Sequence, residues 1–360
     1  MPQARVHRIP ARAPDDMRGI ARLIQDGVID PTGILAILGK TEGNGCVNDF
    51  TRAFAVSALK AELSRHLTEA SVNRIVYVMS GGTEGGLAPH WLVLERSSHD
   101  EGRRPALAIG THHTADLPAR SLGRLAQVEM VRQGVLAAMK EARLADAAEA
   151  HFVQIKVPLL TAERIAAARS DVRTTDPLKS MGLSRAAAAL GVAAALGEVA
   201  PGKITEDAIG SDHDLWSGRA STSAGAELLN HEIVVMGMSG QWSGPLAIDH
   251  AVMTDQLDID PVREAVIRLG LPVRAQLVPA ERRRVVAVLA KAEAGSTGRL
   301  RGHRHTMLDD SDISSTRHAR AFVGGVLAGL IGHAELFVSG GAEHQGPDGG
   351  GPVAIIAERG

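Results

Sequence analysis

The sequence predicts an α/β protein made of three homologous repeats, related by pseudo-threefold symmetry. Three observations predict it. A block of strand, polar loop and amphipathic helix occurs three times, a short β-rich run ending in lysine follows each block, and a Ser-Gly or Ser-Ala loop then closes each copy. The copies are domain-sized, which separates a triplicated domain from a solenoid.

The opening blocks are "ARVHRIPARAPDDMRGIARLIQDG", "ALAIGTHHTADLPARSLGRLAQVEMVRQG" and "PLAIDHAVMTDQLDIDPVREAVIRLG". Their last residues, Gly27, Gly134 and Gly270, read as helix C-caps, because glycine enters the left-handed region without a Cβ clash. The runs "GILAILGK", "AHFVQIK" and "RRVVAVLAK" read as strands with Lys40, Lys156 and Lys291 at their exits. Helices with an arginine near the start come next: "FTRAFAVSAL" (Arg52), "LSRAAAALGV" (Arg185) and "HARAFVGGVL" (Arg320). The loops "SGGTE", "SAGAE" and "SGGAE" then begin at Ser80, Ser223 and Ser339, each with a glutamate four residues on. Lysine and serine stand 40, 67 and 48 residues apart in the three copies, so loop lengths vary while the order Lys, Arg, Ser does not. Boundaries are expected near residues 103 and 250, in "SSHDEGRRP" and "GQWSGP", giving repeat units 1–103, 104–250 and 251–360.

Composition narrows the partners. Aromatic residues are only 2% of the chain, leaving few platforms on which bases could stack, and a formal charge of −2 without long charged runs gives no electrostatic reason for a polyanion or an anionic membrane. A small, near-neutral ligand is the expected partner, with no nucleic acid and no membrane. The N-terminus is charged and has no apolar core of a secretory signal, and the longest helical apolar block, Ala186 to Gly197, falls short of the ~20 residues that span a bilayer. Cys46 is the single cysteine, which rules out an internal disulfide and fits a reducing, cytoplasmic home.

The recurring residue types suit acyl chemistry. A serine hydroxyl needs a base before it attacks a carbonyl, and an unprotonated lysine can serve. N–H groups of a glycine loop can approach the resulting oxyanion, and an arginine holds a carbonyl or imide in one orientation. If the three sets converge, the pocket suits a small flat ring with three carbonyls. Two of the lysines carry an acid two residues on, Glu42 and Glu293, which on a strand shares their face and favours the ammonium. Lys156 is followed by Val157 and Pro158, so it is expected to lack a carboxylate partner and to activate Ser223, the other sets mainly binding.

The residues in "GKTEGNGCVNDFTRAFA", "MSGGTEGG", "SMGLSRAAAALG", "ASTSAGAEL" and "SGGAEHQGPDGGGP" occur in this order along nearly the whole chain. In them the sequence resembles the cyanuric acid hydrolase and barbiturase family of ring-opening cyclic amide hydrolases. The resemblance implies three α/β repeats around a central barrel-like sheet core and one substrate site where three Ser-Lys pairs meet. It implies Ser223 as nucleophile and Lys156 as its general base. It further implies that Arg52, Arg185 and Arg320, with Ser80-Gly81, Ser223-Ala224 and Ser339-Gly340, hold the ring carbonyls, Lys40 and Lys291 belonging to the binding sets. Ala224 departs from the glycine of the other copies but keeps its N–H. The implied reaction is hydrolysis of cyanuric acid to 1-carboxybiuret, then biuret and carbon dioxide; ring opening of barbiturate to ureidomalonate is the alternative, less suited to three equivalent sets. No organic cofactor is implied. A structural magnesium or calcium ion is, held mostly by backbone oxygens, with Glu293, Ala342, Gln345, Gly346, Pro347 and Gly350 as the matching residues; such an oxygen set suits hard cations. The family also suggests a homotetramer.

Other features carry less. His112, His113, His303 and His305 do not recur across the copies and read as solvated or structural, the cluster Asp309, Asp310 and Asp312 as a solvated loop or N-cap, and Cys46 as a buried small residue. Two readings of other classes stand beside the hydrolase: a non-catalytic small-molecule binder, and a metal-dependent amidohydrolase using the histidines.

Overall fold

The protein is described here by a computed structural model covering residues 1–98, 102–169 and 171–359. The first repeat contains β1 (Pro2–Pro10), α1 (Arg18–Gln25), β2 (Ile34–Thr41), α2 (Phe50–Leu63), α3 (Glu69–Val72), β3 (Val76–Gly81) and β4 (His90–Ser98). The second contains β5 (Ala106–His113), α4 (Leu125–Glu141), β6 (Ala150–Pro158), α5 (Ala162–Ala167), α6 (Pro177–Ala195), β7 (Ala220–Gly225) and β8 (Glu232–Ser239). The third contains β9 (Leu246–Met253), α7 (Asp260–Arg268), α8 (Pro279–Arg284), β10 (Val285–Ala292), the short pair β11 (Arg299–Leu300) and β12 (His303–Arg304), α9 (Ser315–Ile331), β13 (Phe337–Gly340) and β14 (Gly351–Glu358).

One topology is used three times. The sheets run β1-β4-β2-β3, β5-β8-β6-β7 and β9-β14-β10-β13. In each, the lysine strand pairs in parallel with the serine strand and antiparallel with the last strand. The serine strands β3, β7 and β13 touch one another in every pairing, so the serine ends meet where the repeats meet.

Both faces of each sheet are buried, which explains the near-continuous apolar runs. On β2, Ala36 and Leu38 join a core shared by all three sheets, while Ile37 faces the outer core beneath α1 and α2. Ala287 and Leu289 on β10 repeat this, with Val288 and Ala290 turned outward. The shared inner core is the barrel-like centre that the family resemblance implies, assembled from three separate sheets.

Three sequence expectations change. Gly27 and Gly270 do follow their helices with positive φ, 69° and 79°, but Gly134 lies inside α4, which continues to Glu141. Its role is close packing: a Cβ there would lie 2.5 Å from Ile233 Cδ1 on β8. Arg185 does not begin its helix, because α6 starts at Pro177, where Asp176 accepts from the N–H groups of Leu178 and Lys179. Residue 250 falls within β9, so the boundary lies a few residues earlier, in the expected linker "GQWSGP" itself, which fills the gap between Ser239 and Leu246. Of the first linker, residues 99–101 lie outside the described residues.

Candidate active site

Strand register brings each lysine beside the serine of its own copy. Lys40 pairs with Ser80, Lys156 with Ser223 and Lys291 with Ser339. With a period of two, Lys40 and Lys291 extend the inner face begun by Ala36 and Leu38 or Ala287 and Leu289. The lysines are 0, 1 and 1% exposed, so their amines must find partners inside the protein. They find them across repeats: Lys40 Nζ donates to Val338 O (2.5 Å), Lys156 Nζ to Met79 O (2.6 Å) and Lys291 Nζ to Thr222 O (2.9 Å). Each acceptor immediately precedes a neighbouring repeat's serine, so the three bonds form a closed ring.

A second ring uses the glutamates. Arg320 of the third repeat donates from Nε and Nη2 to Glu84 of the first, at 2.8 and 2.6 Å, and Arg185 of the second does the same to Glu343 of the third, also at 2.8 and 2.6 Å. Arg52 of the first repeat closes the ring at 3.5 Å from Glu227 of the second. Bidentate pairing fixes a guanidinium plane. The grip on Nε and Nη2 leaves Nη1 of Arg185 and Arg320 as the edge for a ligand.

The serines and arginines of all three copies surround one cavity of about 470 Å³. Gly81, Ala224 and Gly340 line it as well, together with the segments that lead into α2, α6 and α9. Lys156 is part of the wall; Lys40 and Lys291 are not among the lining residues. Lys40 Nζ donates to Ser80 Oγ at 3.3 Å and Lys291 Nζ to Ser339 Oγ at 3.2 Å, whereas Ser223 Oγ lies 2.9 Å from Ser339 Oγ. Burial, joined by Arg320 for Lys40 and Arg185 for Lys291, brings those two amines well below the ordinary lysine range. Burial lowers Lys156 less, to about 8, because Glu227 opposes it.

That last contact corrects the sequence reading. Lys156 has a carboxylate partner, Glu227 Oε1 at 2.9 Å. Among the described residues neither Glu42 nor Glu293 forms an ion pair with its lysine, because they lie just past the ends of β2 and β10, where strand alternation no longer applies; Glu293 favours the Lys291 ammonium only as a lesser neighbouring charge. Glu42 is exposed, and the Glu293 carboxylate accepts from Thr316 Oγ1 and Ala294 N. Cys46, expected to be buried, is half-buried in the cavity wall, since the irregular segment before α2 is held by Asn44 and Asp49 side chains and leaves it at the surface of the pocket. The glutamates Glu84, Glu227 and Glu343 were missed as site residues although their constant spacing after serine is visible.

The oxygen-rich turn after β13 lies beside Glu293. Gln345 Oε1 accepts from Thr222 N and its Nε2 donates to Gly341 O, so this side chain is occupied and only its backbone oxygen is left for a cation. Burial and the neighbouring Glu343 push the Glu293 carboxyl upward, the condition of a carboxylate short of positive charge. Among the described residues one other cluster has metal-ligand composition, His151, Asp249 and His250, and it does not line the cavity.

The sequence pattern of the family described as amidohydrolase ring-opening protein matches residues 5–358. The chain is 60% identical over 365 residues to the cyanuric acid amidohydrolase of Bradyrhizobium sp. (strain ORS 375), covering 99% of this chain and 98% of that protein. To the cyanuric acid amidohydrolase of Azorhizobium caulinodans it is 58% identical over 363 residues, with 100% and 99% covered. The crystal structure of the cyanuric acid hydrolase from A. caulinodans superimposes with a TM-score of 0.93 at 58% identity, covering 100% of this chain and 99% of that one. A second cyanuric acid hydrolase structure, described as an innovation by structural concatenation, gives 0.94 at 45% identity, with 99% and 100% covered.

Proposed function

The chain belongs to the ring-opening amidohydrolase family, and from that premise we propose how it opens its substrate. The reaction is hydrolysis of one ring C–N bond of cyanuric acid. The observation that carries this reading is the meeting of Ser80, Ser223 and Ser339, with Arg52, Arg185 and Arg320, around one cavity. Three near-equivalent sets complement a ring with three equivalent carbonyls. Assayed side by side, cyanuric acid is expected to turn over faster than barbiturate; faster ring opening of barbiturate would overturn the choice of substrate, and binding of both without turnover would favour a non-catalytic protein.

In the mechanism, Ser223 Oγ attacks a ring carbonyl carbon as its proton passes to the Lys156 amine. For this the hydroxyl turns from Ser339 Oγ toward the lysine opposite it in register. Loop N–H groups and arginine Nη1 edges bear the oxyanion. When it collapses, the ring C–N bond breaks and the Lys156 ammonium gives its proton to the departing nitrogen. Water then cleaves the acyl–serine ester, releasing 1-carboxybiuret, which loses carbon dioxide to leave biuret. Lys156 suits both proton transfers because its pKa of about 8 lies near neutral pH. Ser80 and Ser339, with Lys40 and Lys291, hold the other two carbonyls.

Glu293 and the backbone oxygens of Ala342, Gln345, Gly346, Pro347 and Gly350 fit a hard divalent cation. Its contribution would be structural, tying the turn before β14 to the end of β10. A cytoplasmic homotetramer is part of the same reading, supported by the single cysteine and by the family likeness. Light scattering and thermal melting, each with and without EDTA, test both: four chains and a lower melting temperature in chelator are expected, while a monomer mass removes the tetramer and an unchanged melt removes the ion.

A further inference from the structure

The three sets are alike in sequence but not in pairing. Glu84 and Glu343 each take two N–H groups of an arginine, at 2.6 and 2.8 Å. Glu227 does not. Its Oε1 stands 2.9 Å from Lys156 Nζ and 3.5 Å from Arg52 Nε, and Arg52 turns its Nη2 to Cys46 O instead. Among the described residues neither Arg52 Nε nor Glu227 Oε1 has an aligned hydrogen-bond partner, so Glu227 and Lys156 meet as a close ion pair.

The second repeat contains a device that holds this difference. Its lysine and serine are 67 residues apart, against 40 and 48, and α5 lies in the added length. Arg164 on α5 donates from Nη2 to Ala226 O (3.1 Å) and Leu228 O (3.0 Å), the carbonyls on either side of Glu227, and from Nη1 to Leu159 O (2.6 Å). The loop bearing Glu227 is therefore pinned from its own repeat. The inner face beneath also differs: Gln154 and Ser221, paired in register two residues below Lys156 and Ser223, are fully buried where the first and third repeats have Leu38, Val78, Leu289 and Phe337.

We propose that Glu227 is a positioning residue that singles out one of three near-equivalent sets, by forgoing the bidentate grip on its arginine and closing an ion pair onto Lys156, with Arg164 holding it there. The proposal rests on the reading of Ser223 and Lys156 as the reacting pair. Glu227 favours the ammonium that Lys156 becomes on taking the Ser223 proton, so the second set can hold that proton until the ring nitrogen departs. The other charged groups facing this pair are Arg52 and Asp49 from the first repeat, Glu232 opposite Lys156 on β8, and Arg164 facing Glu227. Arg52 favours the neutral amine, and Asp49 the ammonium.

The test is the pH dependence of kcat/KM for cyanuric acid in the wild type, Glu227→Gln, Glu227→Asp and Glu84→Gln. In the wild type the acid-side rise is expected near pH 8, as Lys156 loses its proton. Removing the carboxylate disfavours the ammonium, so in Glu227→Gln the rise moves to lower pH by about 1–3 units, and Glu227→Asp returns it toward the wild type. Glu84→Gln, which frees Arg320, raises KM and leaves the rise in place. Ionisation of the substrate is common to all variants and cancels in the comparison. A rise at the same pH in Glu227→Gln overturns the proposal. If that variant is too slow to profile, the Lys156 ¹⁵Nζ shift followed against pH in Arg164→Met and in the wild type replaces it: a downward move supports the proposal, an unchanged titration overturns it. Full activity in Ser223→Ala would instead dismiss the underlying assignment, whatever the profiles show.

Discussion

Ser223→Ala is expected to lower kcat for cyanuric acid by about four to six orders of magnitude, the loss typical of removing a covalent nucleophile whose partners act as a unit. Ser80→Ala and Ser339→Ala remove a hydroxyl that orients a carbonyl, and each should cost only about 10–100-fold, the equivalent of one hydrogen bond of about 1–3 kcal/mol. The contrast carries the argument, because all three hydroxyls are buried at the same wall and truncating any of them disturbs packing alike: their exposures are 5, 6 and 2%. Ser223 differs in being opposite the lysine that lines the cavity, and in meeting Ser339 Oγ at 2.9 Å where Ser80 and Ser339 each accept from the lysine of their own set. Single-turnover and steady-state rates for the three variants check it. Equal losses in all three, or a larger one in Ser80→Ala, would move the nucleophile elsewhere.

The triplication was legible because its signals are local. Strand runs such as "GILAILGK" and the Ser-Gly loops are read from adjacent residues, and repetition of their order marks the three copies without any knowledge of contacts. Convergence on one cavity was legible only as a condition; contact among β3, β7 and β13 satisfies it, while register sets Lys40, Lys156 and Lys291 opposite their own serines. Pairing of charges was not legible. Arg320 finds Glu84 across 236 residues and Arg185 finds Glu343 across 158, distances over which spacing says nothing. The acids at Glu42 and Glu293 looked like lysine partners because strand alternation was extended one residue beyond each strand, and the true partner of Lys156 comes from a loop pinned by Arg164. Gly134 fails for a related reason: a glycine admits either a left-handed cap or a close approach, and only the depth of α4 against Ile233 decides.

Lys156→Met should lower kcat by about 10²–10⁴-fold, the span of general acid–base catalysis, with part of the transition-state binding left in the arginines and loops. Stability should fall in the same variant, because Glu227 then keeps its charge in the protein with its ion pair broken; orphaning one member of a buried pair costs about 3–5 kcal/mol. The two effects separate in the double variant Lys156→Met with Glu227→Gln, which removes the stranded charge. Its melting temperature should recover most of the loss while its turnover stays as low as that of Lys156→Met alone. Lys156→Arg supplies a cation for Glu227 and should likewise retain stability without activity, since a guanidinium does not release its proton at neutral pH. Activity that follows the melting temperature through this series would mean that Lys156 acts by supporting the fold. Activity that stays low while stability returns requires the amine itself, at the position where Ser223 must part with a proton.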